Sequence, residues 1–440
     1  MSELILNLDS TVGKIKPMHS VNNGPSKGRS DQTRSNFDTF KDAHIPLART
    51  HDASFCSDYG GEHTVDVHMI FPNFDADEND PASYDFDLTD EYMQTILDAG
   101  TKVFYRLGSK IEHESKKYGT LPPKDFAKWA RICEHIIRHM NEGWANGHHF
   151  GIEYWEIWNE PDLSGTDKAK KTWGGTKEQF FDLYTVTAKH LKACFPSLKI
   201  GGPALAYRFD DFMRPFLAHL RENDVPLDFF SWHSYSVNVG VFTENAAIVR
   251  RLLDEYGYTE TESILNEWNY VENWSSLWVR SLCEIQSLHG AAFIAATMCA
   301  CQNSSIDHLM YYDARLNTAM NGMFSQITLR PLKGYYPFKM FSTLYELENQ
   351  LSVENNTPNV YCTAARKGED FAAMIAYYSP DKNADCTTFT LEVRGIAPDA
   401  ELKCYLVDED RVMTPVPNVV LHDGRAEMTL TPDSFLLLEI

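Results

Sequence analysis

The sequence predicts an α/β protein in which a closed (β/α)8, or TIM, barrel is followed by an antiparallel β-sandwich domain. Short apolar or β-branched runs recur eight times up to residue 312, helical patterns lie between them, and strict alternation replaces both after about Leu347. Strands that repeat with intervening helices require a parallel sheet with right-handed crossovers. Eight such strands favour closure into a barrel, with an open doubly wound sheet as the alternative.

The predicted barrel strands are short and rich in apolar or β-branched residues. They span Ile15–Ser20, Ile45–Thr50, Lys102–Leu107, Ile152–Trp158, Leu198–Gly202, Asp228–His233, Ser263–Trp268 and Ile306–Tyr312. Between the third and fourth strands, the apolar residues of Asp125–Met140 recur with helical spacing, and the charged residues lie elsewhere around the helix. The segment Glu178–Cys194 shows the same pattern. These segments are typical of the crossover helices that a parallel barrel requires.

The last hundred or so residues show strand periodicity without helices. In Phe389–Val393, for example, apolar and polar residues alternate strictly, and turn-forming residues separate such runs. This pattern is typical of an antiparallel β-sandwich. We therefore assign residues 13–345 to the barrel and residues 346–440, together with 1–12, to the sandwich, with Leu4–Leu8 as an additional strand.

The charge balance narrows the class of partner. The 440 residues include 40 Lys+Arg and 62 Asp+Glu, which gives a formal net charge of −22. A surface of that sign repels a phosphate backbone and an anionic membrane, so neither a nucleic acid nor a membrane is expected as a partner. The sequence leaves open whether the chain forms a homo-oligomer.

The sequence also predicts a cytoplasmic protein. Its first ten residues include Glu3 and Asp9 and contain no long apolar run, unlike a signal peptide. The longest apolar stretch, Gly290–Cys301, is shorter than the roughly 20 residues of a membrane span and is typical of a buried helix. The nine cysteines contain no CxxC pair, which favours buried, reduced thiols.

Several common chemistries lack support in the sequence. There is no GxGxxG or GxxxxGKS/T for a nucleotide, no GxSxG for a nucleophilic serine and no HExxH for zinc. The histidines are scattered, and pairs such as His148-His149 do not have the spacing of metal ligands. We therefore expect neither a metal ion nor another cofactor.

Two glutamates occupy the position that a barrel uses for chemistry. Glu160 follows the fourth predicted strand in Trp158-Asn-Glu-Pro161, and Glu267 ends the seventh in Asn266-Glu-Trp268. The carboxyl ends of barrel strands form one face, so the two side chains can approach each other there. A facing pair of carboxyl groups is the minimum equipment for hydrolysing a glycosidic bond. Either glutamate alone would equally suit a salt bridge or a helix cap.

These motifs resemble those of the clan-A glycoside hydrolases, most closely family 39, which includes β-xylosidases and α-L-iduronidases. The resemblance extends over most of the barrel and rests on Arg49-Thr-His51, Tyr84-Asp-Phe86, Trp129, Trp158-Asn-Glu-Pro161, Gly201-Gly-Pro203, Trp232-His-Ser-Tyr235 and Asn266-Glu-Trp268. The eighth predicted strand departs from the family pattern because it carries tyrosines where many clan members place a tryptophan. The floor of the first sugar subsite is therefore expected to differ.

The resemblance implies a retaining mechanism by double displacement, with Glu160 as the general acid/base and Glu267 as the nucleophile. Burial among aromatic rings beside a second carboxylate is expected to keep Glu160 protonated, whereas Glu267 has to be ionised to attack. The candidate substrate-binding residues are His51, Asn159, His233, Tyr235, Trp268 and Arg315. For Arg315, we favour pairing with Asp313 on the barrel rim over contact with a substrate.

The expected substrate is an oligosaccharide or glycoside from which a terminal neutral sugar is removed, as in a β-D-xyloside or an α-L-arabinofuranoside. Family members that act on uronic acids hold the carboxylate with a lysine two positions after the histidine of the sixth strand. This chain has Tyr235 at that position. Two alternatives remain open: a non-catalytic carbohydrate-binding protein on the same scaffold, and an endo-acting glycosidase of the same chemistry.

Overall fold

The computed structural model describes residues 2–27, 35–51, 64–163, 169–207 and 209–440. Its centre is a closed barrel of eight parallel strands, which confirms the predicted fold class. A first strand, β1 (Glu3–Lys14), precedes the barrel. The barrel strands follow one another in chain order as β2 (Ser20–Asn22), β3 (Leu47–Thr50), β4 (Lys102–Leu107), β5 (Tyr154–Ile157), β6 (Lys199–Leu205), β7 (Phe229–Tyr235), β8 (Glu262–Asn269) and β9 (His308–Tyr311).

Helices alternate with these strands and surround the barrel. In the described part of the chain they are α1 (Phe37–Asp42), α2 (Val67–Ile70), α3 (Asp87–Asp98), α4 (Phe126–Glu142), α5 (Lys177–Cys194), α6 (Arg214–Glu222), α7 (Gly240–Glu255), α8 (Trp278–Ile285), α9 (Leu288–Gln302) and α10 (Tyr336–Glu346). Helix α4 shows how the sequence sets such an element. The Asp125 carboxylate accepts a hydrogen bond from the Lys128 N–H at 3.0 Å, and Gly143 ends the helix with a φ of 79°.

One predicted strand is wrong in its position. The sequence placed the first barrel strand at Ile15–Ser20, whereas β2 begins only at Ser20. Residues 15–19 instead connect β1 to β2, and Pro17 within them has no N–H to donate to a strand ladder. The other seven predicted strands overlap their observed counterparts, and Lys102–Leu107 matches β4 at both ends.

The C-terminal region forms a second, mostly antiparallel sheet. Its strands are β10 (Asn349–Asn355), β11 (Val360–Lys367), β12 (Asp370–Tyr377), β13 (Thr387–Arg394), β14 (Glu401–Val407), β15 (Thr414–Val420), β16 (Arg425–Leu430) and β17 (Phe435–Glu439), joined by β1. Strand β1 pairs antiparallel with β10 and parallel with β13. Leu391 of β13 and Leu402 of β14 share one hydrophobic core, although their strands are not neighbours in the sheet. The sheet therefore folds over this core in the manner of a sandwich.

Helix α9 connects the two parts of the structure. It packs against β11 and β12, where the Thr363 hydroxyl donates to the Cys299 carbonyl at 3.4 Å. Almost every residue of this helix is buried, because one side faces the barrel and the other faces the C-terminal sheet. This position explains the apolar run Gly290–Cys301. Among the described helices, none is both long and apolar enough to cross a bilayer.

Candidate active site

The backbone at the end of β5 directs Glu160 towards the barrel mouth. Trp158 and Glu160 both have positive φ angles, 78° and 50°. Hydrogen bonds to the neighbouring strands hold this conformation, since the Trp158 N–H donates to Leu107 O at 2.7 Å and the Glu160 N–H donates to Ala204 O at 2.9 Å. Positive φ values are uncommon outside glycine and cluster at functional sites, where surrounding structure imposes them.

An irregularity in the β7–β8 pairing directs Glu267 inward. Trp232 pairs with Leu265, and the next residue, His233, pairs with Glu267, so Asn266 is an extra residue in β8. A bulge of this kind re-aims side chains at the rim of a barrel. As a result, the adjacent Asn266 and Glu267 both reach polar groups inside the barrel instead of alternating between its two faces.

The two carboxylates meet around one imidazole ring. His233 Nδ1 lies 2.8 Å from Glu160 Oε1 and 3.4 Å from Glu267 Oε2. One carboxylate oxygen of each glutamate lies within 4.8 Å of one of the other. All three side chains are buried to at least nine tenths. The opposite ring nitrogen, His233 Nε2, is buried and has no hydrogen-bond partner within the described structure.

Positively charged and hydrogen-bonding groups surround Glu267. Arg49 Nη1 donates to its Oε1 at 2.8 Å, the Tyr235 hydroxyl donates to its Oε2 at 2.8 Å, and His51 Nε2 lies 3.5 Å from Oε1. These contacts engage both carboxylate oxygens and fix the orientation of the group. They also stabilise its ionised form, because a cation and a hydroxyl donor both favour a carboxylate over a carboxylic acid.

The environments of the two glutamates shift their pKa values in opposite directions. Burial, reinforced by the charge of Glu267, raises the pKa of Glu160 above the usual range of a carboxyl group. Burial acts in the same sense on Glu267, but His233, His51 and Arg49 outweigh it and lower the pKa of that group. For His233, burial is outweighed by the charges of both carboxylates, so its pKa is raised. Two carboxyl groups held in such different environments suit an acid and a nucleophile.

Arg49 joins the residues beneath the two carboxylates, a role that we did not predict. Its buried guanidinium donates to Glu156 Oε2 at 2.6 Å, Asn22 Oδ1 at 2.9 Å and Asn159 Oδ1 at 2.7 Å, in addition to Glu267. Removing one member of a buried ion pair lowers the free energy of unfolding by about 3–5 kcal/mol. The signal in the sequence was Glu156, a charged residue within an otherwise apolar strand, because such a residue requires a buried partner.

Five predicted site residues line a single cavity of about 1190 Å³ at the carboxyl ends of the barrel strands. They are His51, Glu160, His233, Tyr235 and Glu267. The predicted Asn159 is buried beside this cavity, with its side-chain oxygen bonded to Arg49. The cavity also includes residues that sequence reasoning missed, among them Lys171, Tyr207 and Trp274, which come from loops beyond the strand ends.

Two further predicted substrate contacts, Trp268 and Arg315, are also not among the described residues that line this cavity. Alternate residues of a strand point to opposite faces, so the Trp268 ring packs outward against Phe242 and Phe293, with ring centroids 5.9 and 6.0 Å away. This placement argues against the predicted contact of Trp268 with a sugar. Arg315 lies beside the buried Asp313, with 4.0 Å between Arg315 Nε and Asp313 Oδ2, in agreement with the pairing that we favoured.

The residue types at the centre of the site also occur in metal centres, but their contacts differ. His233 Nδ1 is hydrogen-bonded directly to Glu160, and the guanidinium of Arg49 already supplies a positive charge to Glu267. A divalent ion between these groups would have to displace the first contact and tolerate the second charge. The arrangement therefore suits proton transfer and nucleophilic attack better than metal binding.

A (β/α)8 barrel in which a carboxyl group of raised pKa faces one of lowered pKa has the features of a glycoside hydrolase. The model of glycosyl hydrolases family 39 matches residues 51–320. The chain belongs to this family.

Relatives with known names agree with this assignment. A beta-xylosidase from Caldicellulosiruptor saccharolyticus is 23% identical over 373 residues, which cover 78% of this chain and 73% of the relative. The crystal structure of a glucosidase from Croceicoccus marinus superposes with a TM-score of 0.82 at 22% identity, covering 100% of this chain and 98% of that one. A monomeric beta-xylosidase from Caulobacter crescentus gives a TM-score of 0.72 at 16% identity, with 100% and 99% covered. The structural likenesses establish a shared fold.

Proposed function

We propose that this chain is an exo-acting, retaining glycosidase that removes a terminal neutral sugar, with Glu160 as acid/base and Glu267 as nucleophile. The observation that carries the proposal is the approach of the two carboxylates to within 4.8 Å around His233. Carboxyl groups about 5–5.5 Å apart suit direct attack on the sugar, whereas inversion needs about 6.5–9.5 Å to admit a water molecule. The short separation therefore supports double displacement.

In the first step, the Glu267 carboxylate attacks the anomeric carbon while Glu160 transfers its proton to the glycosidic oxygen. The bond to Glu267 forms as the bond to the leaving group breaks. Arg49 and Tyr235 orient the attacking carboxylate and keep it ionised before the attack. When His233 is protonated on both nitrogens, Nδ1–H donates to Glu160 Oε1, and Oε2 is left to carry the transferred proton.

In the second step, Glu160 acts as a base. Now ionised, it takes a proton from a water molecule that attacks the anomeric carbon and releases the Glu267 carboxylate. Each step inverts the anomeric centre, so the product retains the configuration of the substrate. The same two side chains account for every proton and every bond, so the mechanism requires no metal ion.

The cleaved sugar is expected to be neutral. Tyr235 is uncharged and donates its hydroxyl hydrogen to Glu267, so it offers no cation to a sugar carboxylate, and the named relatives include beta-xylosidases and a glucosidase. A panel of 4-nitrophenyl glycosides, tested with the wild type and with Glu267→Ala, should include a β-D-xyloside, an α-L-arabinofuranoside, a β-D-glucoside and an α-L-iduronide. We expect a neutral glycoside to have the highest kcat/KM, and we expect Glu267→Ala to abolish its cleavage.

Lys171 lines the cavity and could bind a sugar carboxylate. A variant of this residue therefore tests whether the preferred sugar is neutral. For a neutral substrate, Lys171→Met should leave the order of preference unchanged. If the iduronide were the best substrate and Lys171→Met removed that preference, the proposal of a neutral sugar would be wrong, and Lys171 would be the carboxylate-binding group.

The dependence of kcat/KM on pH is expected to form a bell. Activity should fall at low pH as Glu267 becomes protonated and fall at high pH as Glu160 loses its proton, with apparent pKa values that belong to the coupled cluster. The lowered pKa of Glu267 and the raised pKa of Glu160 together widen the active range. The measurement is initial rate against pH, with the substrate well below KM.

Tyr235→Phe tests the acid limb of this bell separately. Loss of the hydroxyl bond to Glu267 should raise the pKa of that carboxyl group and move the acid limb to higher pH, while the alkaline limb moves little. Movement of the alkaline limb alone would contradict the assignment of the two limbs.

Activity is expected to be independent of metal ions. Dialysis against EDTA should leave kcat/KM within about twofold of its starting value, since the barrier is lowered by the two carboxylates. The assay requires a mock-dialysed control. Loss of activity that a single divalent metal restores would overturn the metal-free mechanism.

A non-catalytic carbohydrate-binding protein remains the second candidate. The opposite pKa shifts of Glu160 and Glu267 favour catalysis, because binding alone does not require one acid and one ionised carboxylate. A binding protein would retain its affinity for an inert sugar and release no nitrophenol from any member of the glycoside panel.

A further inference from the structure

The rim of the cavity carries an exposed tryptophan. All nine tryptophans of the chain lie within the described residues, and Trp274 alone among them is exposed, at 61%. It lines the same cavity as Glu160 and Glu267. A large apolar ring left in water next to a binding cavity loses the stabilisation of burial, so it has the properties of a contact surface for a ligand.

Neighbouring side chains hold the Trp274 ring in its position. Its ring stacks on Trp278, with ring centroids 4.9 Å apart and an interplanar angle of 29°, and it meets the Tyr235 ring edge-on at 4.9 Å. The Asn273 side-chain oxygen accepts hydrogen bonds from the N–H groups of Ser275 and Leu277, both at 3.0 Å, and so fixes the turn before α8. The ring is therefore held in place before any ligand binds.

The ring lies outside the position of the cleaved sugar. Tyr235 contacts Glu267 through its hydroxyl and Trp274 through its ring, so Trp274 is one aromatic residue further from the nucleophile. The sugar attacked by Glu267 must lie between the two buried carboxylates. Both carboxylates are at least nine tenths buried, whereas Trp274 is exposed in the same cavity. In an exo reaction the rest of the substrate extends from the buried terminal sugar towards the open mouth of the cavity, where the exposed ring lies.

We infer that Trp274, backed by Trp278, forms an outer subsite that stacks on a ring-shaped aglycone, either a second sugar or an aromatic group. This inference rests on the proposed glycosidase function and adds the class of leaving group that the site prefers. The face of a sugar or aromatic aglycone can contact the whole area of the Trp274 indole through its C–H groups or its π system. A small alkyl or halide leaving group is too small to make these contacts.

The test compares leaving groups on one glycone. For the best glycone of the panel, kcat/KM is measured with the 4-nitrophenyl glycoside, the corresponding disaccharide and the glycosyl fluoride, whose leaving group is a single atom. Trp274→Ala should lower kcat/KM about 5- to 20-fold for either or both ring aglycones and leave the fluoride within twofold. Trp274→Phe should restore part of the loss.

Val279→Ala is the matched control, because Val279 is 71% exposed on the same segment and does not line the cavity. It should behave as the wild type with all three substrates. Equal loss on the fluoride and the ring aglycones would overturn the outer subsite and show that Trp274 acts through Tyr235. Unchanged kinetics with all three substrates would overturn it as well.

Failure of the proposed function gives a different result, since the wild type would then cleave none of the three substrates. In that case the presence of the outer subsite is tested by measuring ligand binding. Tryptophan fluorescence is titrated with phenyl and methyl β-D-xyloside in the wild type and in Trp274→Ala. If the wild type binds the phenyl glycoside more tightly than the methyl glycoside and Trp274→Ala does not, the subsite is supported. If the wild type binds the two ligands with equal affinity, the subsite is excluded.

Discussion

Glu267→Gly is expected to lower kcat/KM by about four orders of magnitude or more, because the attacking group is lost. Sodium azide should then restore turnover of activated aryl glycosides, since glycine leaves room for a small anion beside the anomeric carbon. Azide enters from the face that the carboxylate occupied and forms the new bond in one displacement. The product should be a glycosyl azide of inverted configuration, identified by NMR.

Glu260→Gly is the matched control for this experiment. Glu260 is an exposed glutamate just before β8, and its removal should leave activity near that of the wild type. A glycosyl azide of retained configuration from Glu267→Gly would show that another residue forms the covalent intermediate. Unchanged activity without azide would exclude Glu267 from the chemistry altogether.

Most of the barrel was predictable because its strands are buried on both faces and its helices are amphipathic. Both features leave periodic patterns in the sequence, as in Lys102–Leu107 and Asp125–Met140. Strand β2 was misplaced because it has only three residues and the prediction gave no weight to Pro17, the local signal against a strand in the segment before it. The parallel pairing of β1 with β13 joins residues nearly four hundred positions apart, which no local pattern specifies.

The sequence likewise revealed some residues of the candidate site and not others. Glu160 and Glu267 were found because each follows or ends a strand within a short motif, and strand ends share one face of a barrel. Arg49 was missed as the link between Glu267 and Asn159 because its partners come from three different strands, β2, β5 and β8, and from the residues that follow β5. Trp268 follows the inward-facing Glu267, so strand alternation alone places its ring on the outer face, and its assignment to the sugar overlooked that rule. The bulge that brings Asn266 to the same side as Glu267 is not revealed by the sequence.

The loss of activity in Glu160→Ala is expected to depend on the leaving group of the substrate. General acid catalysis contributes about 10²- to 10⁴-fold, so kcat/KM for an unactivated glycoside such as a disaccharide should fall by about that amount. A leaving group that departs without a proton, such as 2,4-dinitrophenolate or fluoride, should lose far less in the first step. Glu267 can still form the glycosyl-enzyme, which should accumulate because no base activates the water.

Azide should relieve this accumulation, since an anion needs no base to attack the anomeric carbon. Two successive displacements then give a glycosyl azide of retained configuration, opposite to the product expected from Glu267→Gly. Glu153→Ala, which changes an exposed glutamate just before the opposite end of β5, should retain the activity of the wild type with every substrate. If Glu160→Ala lost the same factor on activated and unactivated glycosides, and azide had no effect, Glu160 would not be the group that moves the proton.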